Sequence, residues 1–428
     1  MFENVKITTL PNGARVATSA MPGVNSCAVG IGIPMGSRRE KAAEAGWSHF
    51  VEHMVFKGSA KRPTRAEIVR PLERIGGDSN AHTGFEWTTF EARVPAAEAA
   101  TAFDVLGDMV AHPLFPAAEL EKERKVVLEE IKQRFDSPSL RIGQLARAAL
   151  WPDHPLGRPI SGFPETLAGA DAENLRAFHR SNYSARGALV VAAGNLEHDR
   201  IVELARPFLK ALPDVPVPRA RPASRCRPPE PLAVERRDAQ QAHLSISFRC
   251  PGAGDSGRFA LDLLSFVLGG SMSSRLFRTV RDRHGLAYAI HALPIRNSDA
   301  GGFHIRASVD PARVEKALAL CGRELRKIAE KPVGIRELAD AKSLVANALL
   351  LVGEHSGEQR VILDRSLTTL GVVEAPEEVA ARFAAVSREE IRAAAEAILR
   401  PENGSLALIL PNDSKADPEK LREALFNG

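Results

Sequence analysis

The sequence contains few cysteines and no long apolar run. Its four cysteines, in 428 residues, are far apart and form no C-x-x-C pair. This spacing argues against a disulfide framework or a thiolate zinc site and favours reduced, mostly buried thiols. No segment approaches the ~18 uninterrupted apolar residues of a membrane span, and the start, MFENVKITTLPNGARV, lacks the basic and apolar parts of a signal peptide. We therefore expect a soluble, cytoplasmic protein with no membrane partner.

The charges also exclude a class of partner. The 57 basic residues are dispersed among 53 acidic ones, and the net charge is only +4. A nucleic-acid-binding surface normally needs a basic patch or stripe, and the sequence contains none. We therefore expect no nucleic-acid partner.

One break in composition divides the chain nearly in half. The stretch ALPDVPVPRARPASRCRPPEPLA, residues 211–233, is rich in Pro and Arg and reads as an extended linker. Before it come the strand patterns SCAVGIGI and TTFEARV and a helix over 96–110; after it come HLSISFR, GGFHIRASV and a helix over 312–329. A closing helix and buried strand also recur about 216 to 218 residues later.

This repetition predicts an internal duplication of α+β class. Each copy would be a mainly antiparallel sheet with helices packed on one face. The predicted division is a domain over 1–212, a linker over 213–232 and a homologous domain over 233–428. The alternative is a chance resemblance between two Ala-rich halves.

The stretch GWSHFVEHMVFKGS, beginning at Gly46, has the pattern of an amphipathic helix. The apolar positions recur at i, i+3, i+4, i+7 and i+8, and Gly58 follows as a candidate C-terminal cap. At ~100° per residue, His49, Glu52 and His53 share the opposite face. The apolar positions are Trp47, Phe50, Val51, Met54 and Val55.

Two interpretations of that polar face remain open. Imidazoles at i and i+4 lie one turn apart and can bind one ion, which suits zinc, and Glu52 would lie close enough to a metal-bound water to take its proton. Alternatively, His49, Glu52 and His53 form the ordinary solvated side of a surface helix. The H-x-x-E-H pattern is moderately specific for the metal site.

A third ligand is expected from the helix AAELEKERKVVLEEIKQRF. Glu123 and Glu130 lie on one flank of its apolar stripe, ~20° apart and two turns from each other, whereas Glu129 points to the opposite side. Geometry therefore favours Glu130 as the ligand and leaves Glu123 to bond the far nitrogen of a ligating His. Without the histidines, ordinary i, i+4 ion pairs would explain these acids. The second half has no H-x-x-E-H, and Ala348 occupies the position corresponding to Glu130.

HFVEH, followed 77 residues after its second His by a Glu within ERKVVLEEI, resembles the inverted zinc-peptidase motif of the pitrilysin/insulinase family. The likeness extends over nearly the whole chain and is closest to the short-subunit, processing-peptidase-like branch. It implies that His49, His53 and Glu130 bind one zinc ion per chain and that Glu123 is the family's additional important acid. It also implies that Glu52 activates a water held next to the zinc and passes the proton to the leaving amine.

Two further stretches match the family. In DSNAHTGFEWTTFEARV, Asn80 and Ala81 correspond to residues that hold an extended peptide substrate beside the metal. In SSRLFRTVRDRHGLAYAIHA, Arg281 and Tyr288 correspond to a pair that binds substrate near the scissile carbonyl in the other half-assembly. Without the resemblance, the residues themselves favour a turn role for Asn80 and surface and packing roles for Arg281 and Tyr288.

The resemblance also implies how the protein assembles. A chain with two such domains must complete its chamber with another, so we expect a homodimer in which Arg281 and Tyr288 act on the partner subunit's zinc site. A heterodimer is the alternative assembly. The expected activity is endopeptidase hydrolysis of unfolded peptides in an enclosed chamber. The competing interpretation is a non-catalytic or partner-dependent subunit, although no loss in the zinc motif is visible.

Overall fold

The computed structural model describes residues 5–427. The strands are β1 (Val5–Thr9), β2 (Arg15–Ala20), β3 (Ser26–Ile33), β4 (Asp78–Thr83), β5 (Thr88–Pro95), β6 (Leu189–Gly194), β7 (Leu232–Arg237), β8 (Ala242–Pro251), β9 (Ala287–Arg296), β10 (Ala300–Val309) and β11 (Gly404–Pro411). None of the helices within these residues is long and apolar enough to cross a membrane.

The α-helices lie between and after groups of strands in chain order. They are α1 (Trp47–Val55), α2 (Arg65–Glu73), α3 (Ala99–Ala111), α4 (Ala117–Asp136), α5 (Pro138–Leu150), α6 (Pro164–Ala168), α7 (Ala172–Asn182), α8 (His198–Ala211), α9 (Arg258–Gly269), α10 (Val314–Glu330), α11 (Ile335–Val352), α12 (Ser356–Arg365), α13 (Pro376–Ala385), α14 (Arg388–Ile398) and α15 (Pro418–Phe426).

The two sheets repeat one topology. The first has the order β1-β2-β6-β3-β5-β4, and the second has the order β7-β11-β8-β10-β9. In each, a single parallel pair (β2 with β6, β7 with β11) adjoins strands that otherwise pair antiparallel. The second sheet therefore reproduces the first without β1. The predicted α+β class and internal duplication are confirmed.

The chain forms two compact units, and each contains a segment from the other side of the linker. Unit 1 comprises residues 1–131, 158–221 and 349–376, and unit 2 comprises 132–157, 222–348 and 377–428. Helix α5 thus belongs to unit 2, and α12 belongs to unit 1. The sequence prediction used two contiguous domains on either side of 213–232, and no local pattern signals these exchanged segments.

Apolar packing explains why α12 belongs to unit 1. Val190 and Ala192 of β6 face the large core formed with α1, α3 and α8, whereas Leu189 and Val191 face a smaller cluster with Leu363 of α12. Successive strand residues point to opposite faces, so β6 is buried on both sides and reads as a continuous apolar run. We expected helices on only one face of each sheet. In unit 1, α12 also covers part of the second face.

Candidate metal centre

The start of α1 is fixed by a glycine and a buried carboxylate. Gly46 has φ +91°, and a Cβ there would lie 2.6 Å from the carbonyl oxygen of Ser161, so a side chain would be strained and would clash. The backbone N–H groups of Gly46 and Ser48 donate to Glu40 at 2.8 and 2.7 Å. Burial raises the pKa of Glu40 to about 7, although these hydrogen bonds oppose the shift. Two otherwise unsatisfied donors at the helix start are thereby paired.

Helix α1 buries more of its surface than an amphipathic surface helix does. Its predicted apolar stripe packs in the core, but His49 is only 8% exposed, and Glu52 and His53 are half-buried. The polar side is therefore not an ordinary solvated helix face. The helix ends at Val55, with Phe56 as its C-cap in the right-handed conformation, so the prediction of a cap at Gly58 is wrong.

His49, His53 and Glu130 converge on one point. The Nε2 atoms of both histidines lie 3.7 Å from the Glu130 carboxylate, one from each oxygen, and the three ligand atoms lie within 4.8 Å of one another. Bonds of ~2.0–2.1 Å in a tetrahedral site separate ligand atoms by about 3.4 Å. The spacing and the two-imidazole, one-carboxylate donor set therefore fit zinc. Glu129 is exposed, as the helical wheel predicts.

Glu123 and Lys57 hold His53 in place. The Glu123 carboxylate lies 2.8 Å from His53 Nδ1 and also pairs with the Lys57 ammonium. Burial opposes ionisation of Glu123, but the bonds from Lys57 and His53 outweigh it and hold its pKa below the usual range. An ionised carboxylate can only accept, so Nδ1 carries the proton and Nε2 presents its lone pair. This is the arrangement that a ligating His requires.

Glu52 lies beside the three potential ligands and has one oxygen occupied. Its Oε2 accepts a hydrogen bond from the Thr83 hydroxyl at 2.5 Å. Burial raises the pKa of Glu52 above its ordinary value, while Thr83 and the nearby His53 and His82 moderate the rise. Thr83 leaves the second oxygen of Glu52 for proton transfer, and the raised pKa makes the carboxylate a stronger base than an exposed one.

Asn80 and Ala81 lie in the middle of β4, so Asn80 is a strand residue and not a turn residue. Within the described sheet, β4 is the terminal strand and pairs with β5 on one side, with Asn80 opposite Glu91 and Ala81 opposite Phe90. Asn80 is exposed and Ala81 is half-buried. Because Thr83 of the same strand bonds Glu52, β4 leads directly to the candidate metal centre.

Arg281 and Tyr288 contact each other in unit 2. Arg281 lies in a π-helical segment, Phe277–Arg283, and Tyr288 is the second residue of β9, which begins at the predicted Ala287. The guanidinium carbon lies 5.1 Å from the centre of the tyrosine ring, a cation–π distance, while Tyr288 remains 81% exposed. A tyrosine with so little burial does not serve packing within this unit.

The sequence prediction missed Thr83, Lys57 and Glu40. Thr83 could have been found, because it is one strand repeat after Ala81 and therefore shares its face. Lys57 follows His53 by one helical turn, which was a usable signal. Glu40 lies outside the helix in an irregular segment, and no periodicity indicates its bonds to the helix start.

Two models of known protein families match this chain. The model of the insulinase family (peptidase family M16) matches residues 15–163, and that of the peptidase M16 inactive domain matches residues 169–345. An uncharacterized zinc protease of Mycobacterium bovis is 34% identical over 97% of this chain and 95% of its own length. An uncharacterized zinc protease of Bacillus subtilis is 32% identical over 95% and 98%.

The repeated α+β fold and these matches define the class of protein. The chain belongs to peptidase family M16, the insulinase family. Among solved structures, a protease from Helicobacter pylori matches with a TM-score of 0.88 and 20% identity over 96% of this chain and 100% of that one. A peptidase M16 inactive domain from Pseudomonas fluorescens matches with a TM-score of 0.89 and 19% identity over 97% and 100%. At these identities the two structures support the fold.

Proposed function

We propose that this protein is a zinc-dependent endopeptidase that hydrolyses peptide bonds of unfolded peptides. The observation that carries the proposal is the convergence of His49, His53 and Glu130 beside a half-buried Glu52. When bound by these three residues, zinc would supply a Lewis acid that acidifies water and polarises a carbonyl. The names of the related zinc proteases support the same activity.

The protein's own residues would move and hold the protons. Glu52, with Oε2 held by Thr83, accepts the proton of the attacking water on its other oxygen and returns it to the nitrogen of the leaving amine. Burial raises the pKa of Glu52, which favours its holding the proton between these two steps. Lys57 and Glu123 keep His53 in the tautomer that leaves Nε2 available.

The substrate would bind as an added strand. An edge strand presents unpaired backbone N–H and C=O groups, and β4 offers such an edge beside Glu52. Asn80 and Ala81 would position the peptide there. Because a folded protein cannot present an extended strand to this edge, unfolded peptides are the favoured substrates.

The proposal includes a homodimer with two equivalent sites. Arg281 and Tyr288 would contact the substrate bound at the partner subunit's zinc site, and the exposure of Tyr288 supports such a role. A heterodimer is the alternative. The second candidate function is a non-catalytic subunit, which is favoured by the match of residues 169–345 to the model of an inactive domain.

The test compares wild type with Glu52→Gln and, as a matched control, Glu129→Gln. Cleavage of an unstructured peptide panel is measured together with zinc content by elemental analysis. We expect Glu52→Gln to keep about one zinc per chain and lose cleavage by ~10²–10⁴-fold, the usual contribution of a general base. The control should match wild type. Zinc-loaded wild type that cleaves nothing would contradict the proposal.

A mixing experiment tests the assembly. Glu52→Gln and Tyr288→Phe chains are each assayed alone and after refolding together. Recovery of cleavage in the mixture would support a site completed by the partner. No recovery, with dimers present, would contradict it.

A further inference from the structure

Helix α1, which carries two of the potential zinc ligands, has no capping side chain of its own. Its N-cap is Gly46, and the close approach of the Ser161 carbonyl leaves no room for a larger residue there. A Ser, Thr, Asn or Asp at an N-cap ordinarily accepts a backbone N–H of the first turn. Because glycine has no side chain, the donors of this turn need an acceptor from elsewhere in the chain.

Glu40 supplies that acceptor from six residues before the N-cap. One of its oxygens accepts the backbone N–H of Gly46 at 2.8 Å, and the other accepts that of Ser48 at 2.7 Å. Glu40 is only 5% exposed, and an ionised carboxylate is costly to bury unless hydrogen bonds and a nearby cation compensate for its lost hydration. Arg158 is such a cation, and its guanidinium also donates to the backbone carbonyl of Glu40 at 3.2 Å.

The chain just before α1 is held from a second side. The Thr166 hydroxyl donates to the Ala45 carbonyl at 2.6 Å, and the Trp47 indole N–H donates to the Thr166 carbonyl at 3.0 Å. Gly162 packs so closely on Ala45 that a Cβ on Gly162 would lie 2.1 Å from the Ala45 carbonyl oxygen. These contacts restrict the entry to the helix, while Glu40 restricts the first turn itself.

His49 belongs to the turn that Glu40 caps. It is the third residue of α1 and follows directly after Ser48. His53 lies one turn further along the helix, where its ring is held by Glu123. Helix ends fray more readily than helix interiors, so loss of the cap would displace His49 relative to His53.

The second copy of the fold begins the corresponding helix differently. Helix α9 follows β8 as α1 follows β3, and it contains no H-x-x-E-H. Its N-cap is again a glycine, Gly257, but the backbone N–H of that residue donates at 2.8 Å to Asp255, which is exposed and only two residues away. The fold alone therefore does not require a buried carboxylate with two acceptor oxygens at this helix start.

We propose that Glu40 is a positioning residue of the zinc site: its carboxylate holds the first turn of α1 so that His49 faces the same point as His53 and Glu130. This inference rests on the proposed function, because it concerns the same metal site. In this role Glu40 touches neither the metal nor the substrate and acts through the backbone of α1. The ionised carboxylate accepts both N–H groups, whereas an amide of the same size accepts only through its one oxygen.

The test replaces the carboxylate without changing its size. Glu40→Gln turns one acceptor into a donor that faces a backbone N–H, and we expect the zinc affinity to fall about tenfold, the lower end of the effect of a ligand's outer partners. Glu40→Asp keeps the charge on a shorter side chain, so its affinity should lie between the other two. Burial raises the pKa of Glu40 to about 7. Competition with a zinc chelator is therefore measured at about pH 8, where the carboxylate is ionised, on chains that circular dichroism shows to be folded.

Cobalt(II) bound in place of zinc reports the geometry of the site. Its visible absorption depends on the number and arrangement of the ligands, so Glu40→Gln should change the bands. Glu44→Gln is the matched control, because Glu44 lies in the same segment and pairs with the exposed Lys41. Ile68→Val is the stability control, because it trims a buried side chain of the same core. Both controls should keep the wild-type zinc affinity and cobalt spectrum.

The outcomes separate positioning from a purely structural role and from the proposed function. If Glu40→Gln lowers the free energy of unfolding, as Ile68→Val does, but leaves zinc affinity and cobalt spectrum unchanged, the positioning role is wrong. If Glu40→Gln does not fold, Glu40→Asp is judged by the same two measurements. Cleavage by the wild-type chain is assayed separately. A zinc affinity that depends on Glu40 in a chain that cleaves nothing would leave this inference standing and remove the peptidase proposal.

Discussion

The two units share one sheet topology but differ in the side chains placed on it. In unit 1, α1 and α4 bring two histidines and Glu130 together, and the Glu91–Arg360 pair lies on the opposite face. In unit 2, α11 carries the exposed Ala348 in the place expected for Glu130, and Arg306 lies against Gly143. The duplication thus preserved strand order and core packing, whereas a few substitutions on equivalent elements changed the chemistry. Function in this fold follows from those positions.

The largest expected effect concerns the metal. Glu130→Ala removes one of three potential ligands, so we expect zinc affinity to fall by 100-fold or more, since even outer partners of a ligand contribute ~10–100-fold. Glu129→Ala on the same helix should leave affinity unchanged, because Glu129 is exposed on the other side. Competition titration with a zinc chelator measures both. Equal affinities for the two variants would show that Glu130 is not a ligand.

The second prediction compares the two arginines. Arg360→Met leaves the Glu91 carboxylate without its buried partner, and we expect the free energy of unfolding to fall by about 3 kcal/mol, the lower end for a broken buried pair because Glu91 is partly exposed. Arg306→Met removes a half-buried cation that has no ion pair among the described residues. The free energy of unfolding of this variant should therefore fall by less than about 1 kcal/mol, or increase. Denaturation followed by tryptophan fluorescence, with Trp87 in unit 1 and Trp151 in unit 2, measures the difference. A similar loss in both variants would refute the contrast.

The third and smallest effect concerns acid stability. Burial lowers the pKa of His179 in unit 1 to about 4, although its ring bonds the Val110 carbonyl. Below pH ~6.5 the His179 ring therefore takes up a proton more readily in the unfolded chain than in the folded chain. The stability that the neutral His179 contributes is complete above that pH and is lost as the pH falls toward 4. The loss in the free energy of unfolding is about 2 kcal/mol by pH 5. A Gln side chain can still donate a hydrogen bond to the Val110 carbonyl and does not titrate. His179→Gln should therefore reduce the loss of stability at low pH.

Melting temperatures at pH 7.5 and pH 5 test this third prediction. The control is His112→Gln, which changes an exposed histidine. An unchanged difference between the two pH values in His179→Gln would assign the acid sensitivity elsewhere. His304 in unit 2, whose pKa burial lowers to about 3, is the corresponding candidate there.

Much of the fold could be predicted because its signals are local. The strand patterns and the repeat gave the two-sheet architecture, since apolar periodicity reports which residues are buried. The helix face of His49, Glu52 and His53 and the choice of Glu130 over Glu129 followed from 3.6-residue spacing. The exchange of α5 and α12 between units was not predictable, because it depends on the small apolar cluster around Leu363 and on pairings distant in sequence. The same holds for Glu40, Arg306 and Gly143.

X-ray absorption at the zinc edge, on the full-length protein loaded with zinc, shows which side chains bind the metal. We expect one zinc per chain, bound by two imidazole nitrogens and a carboxylate oxygen at ~2.0–2.2 Å, with both imidazoles lost from the spectrum when His49 and His53 are replaced by Ala. Sulfur ligands, a second zinc per chain, or an unchanged spectrum in the double variant would contradict a single metal centre in unit 1.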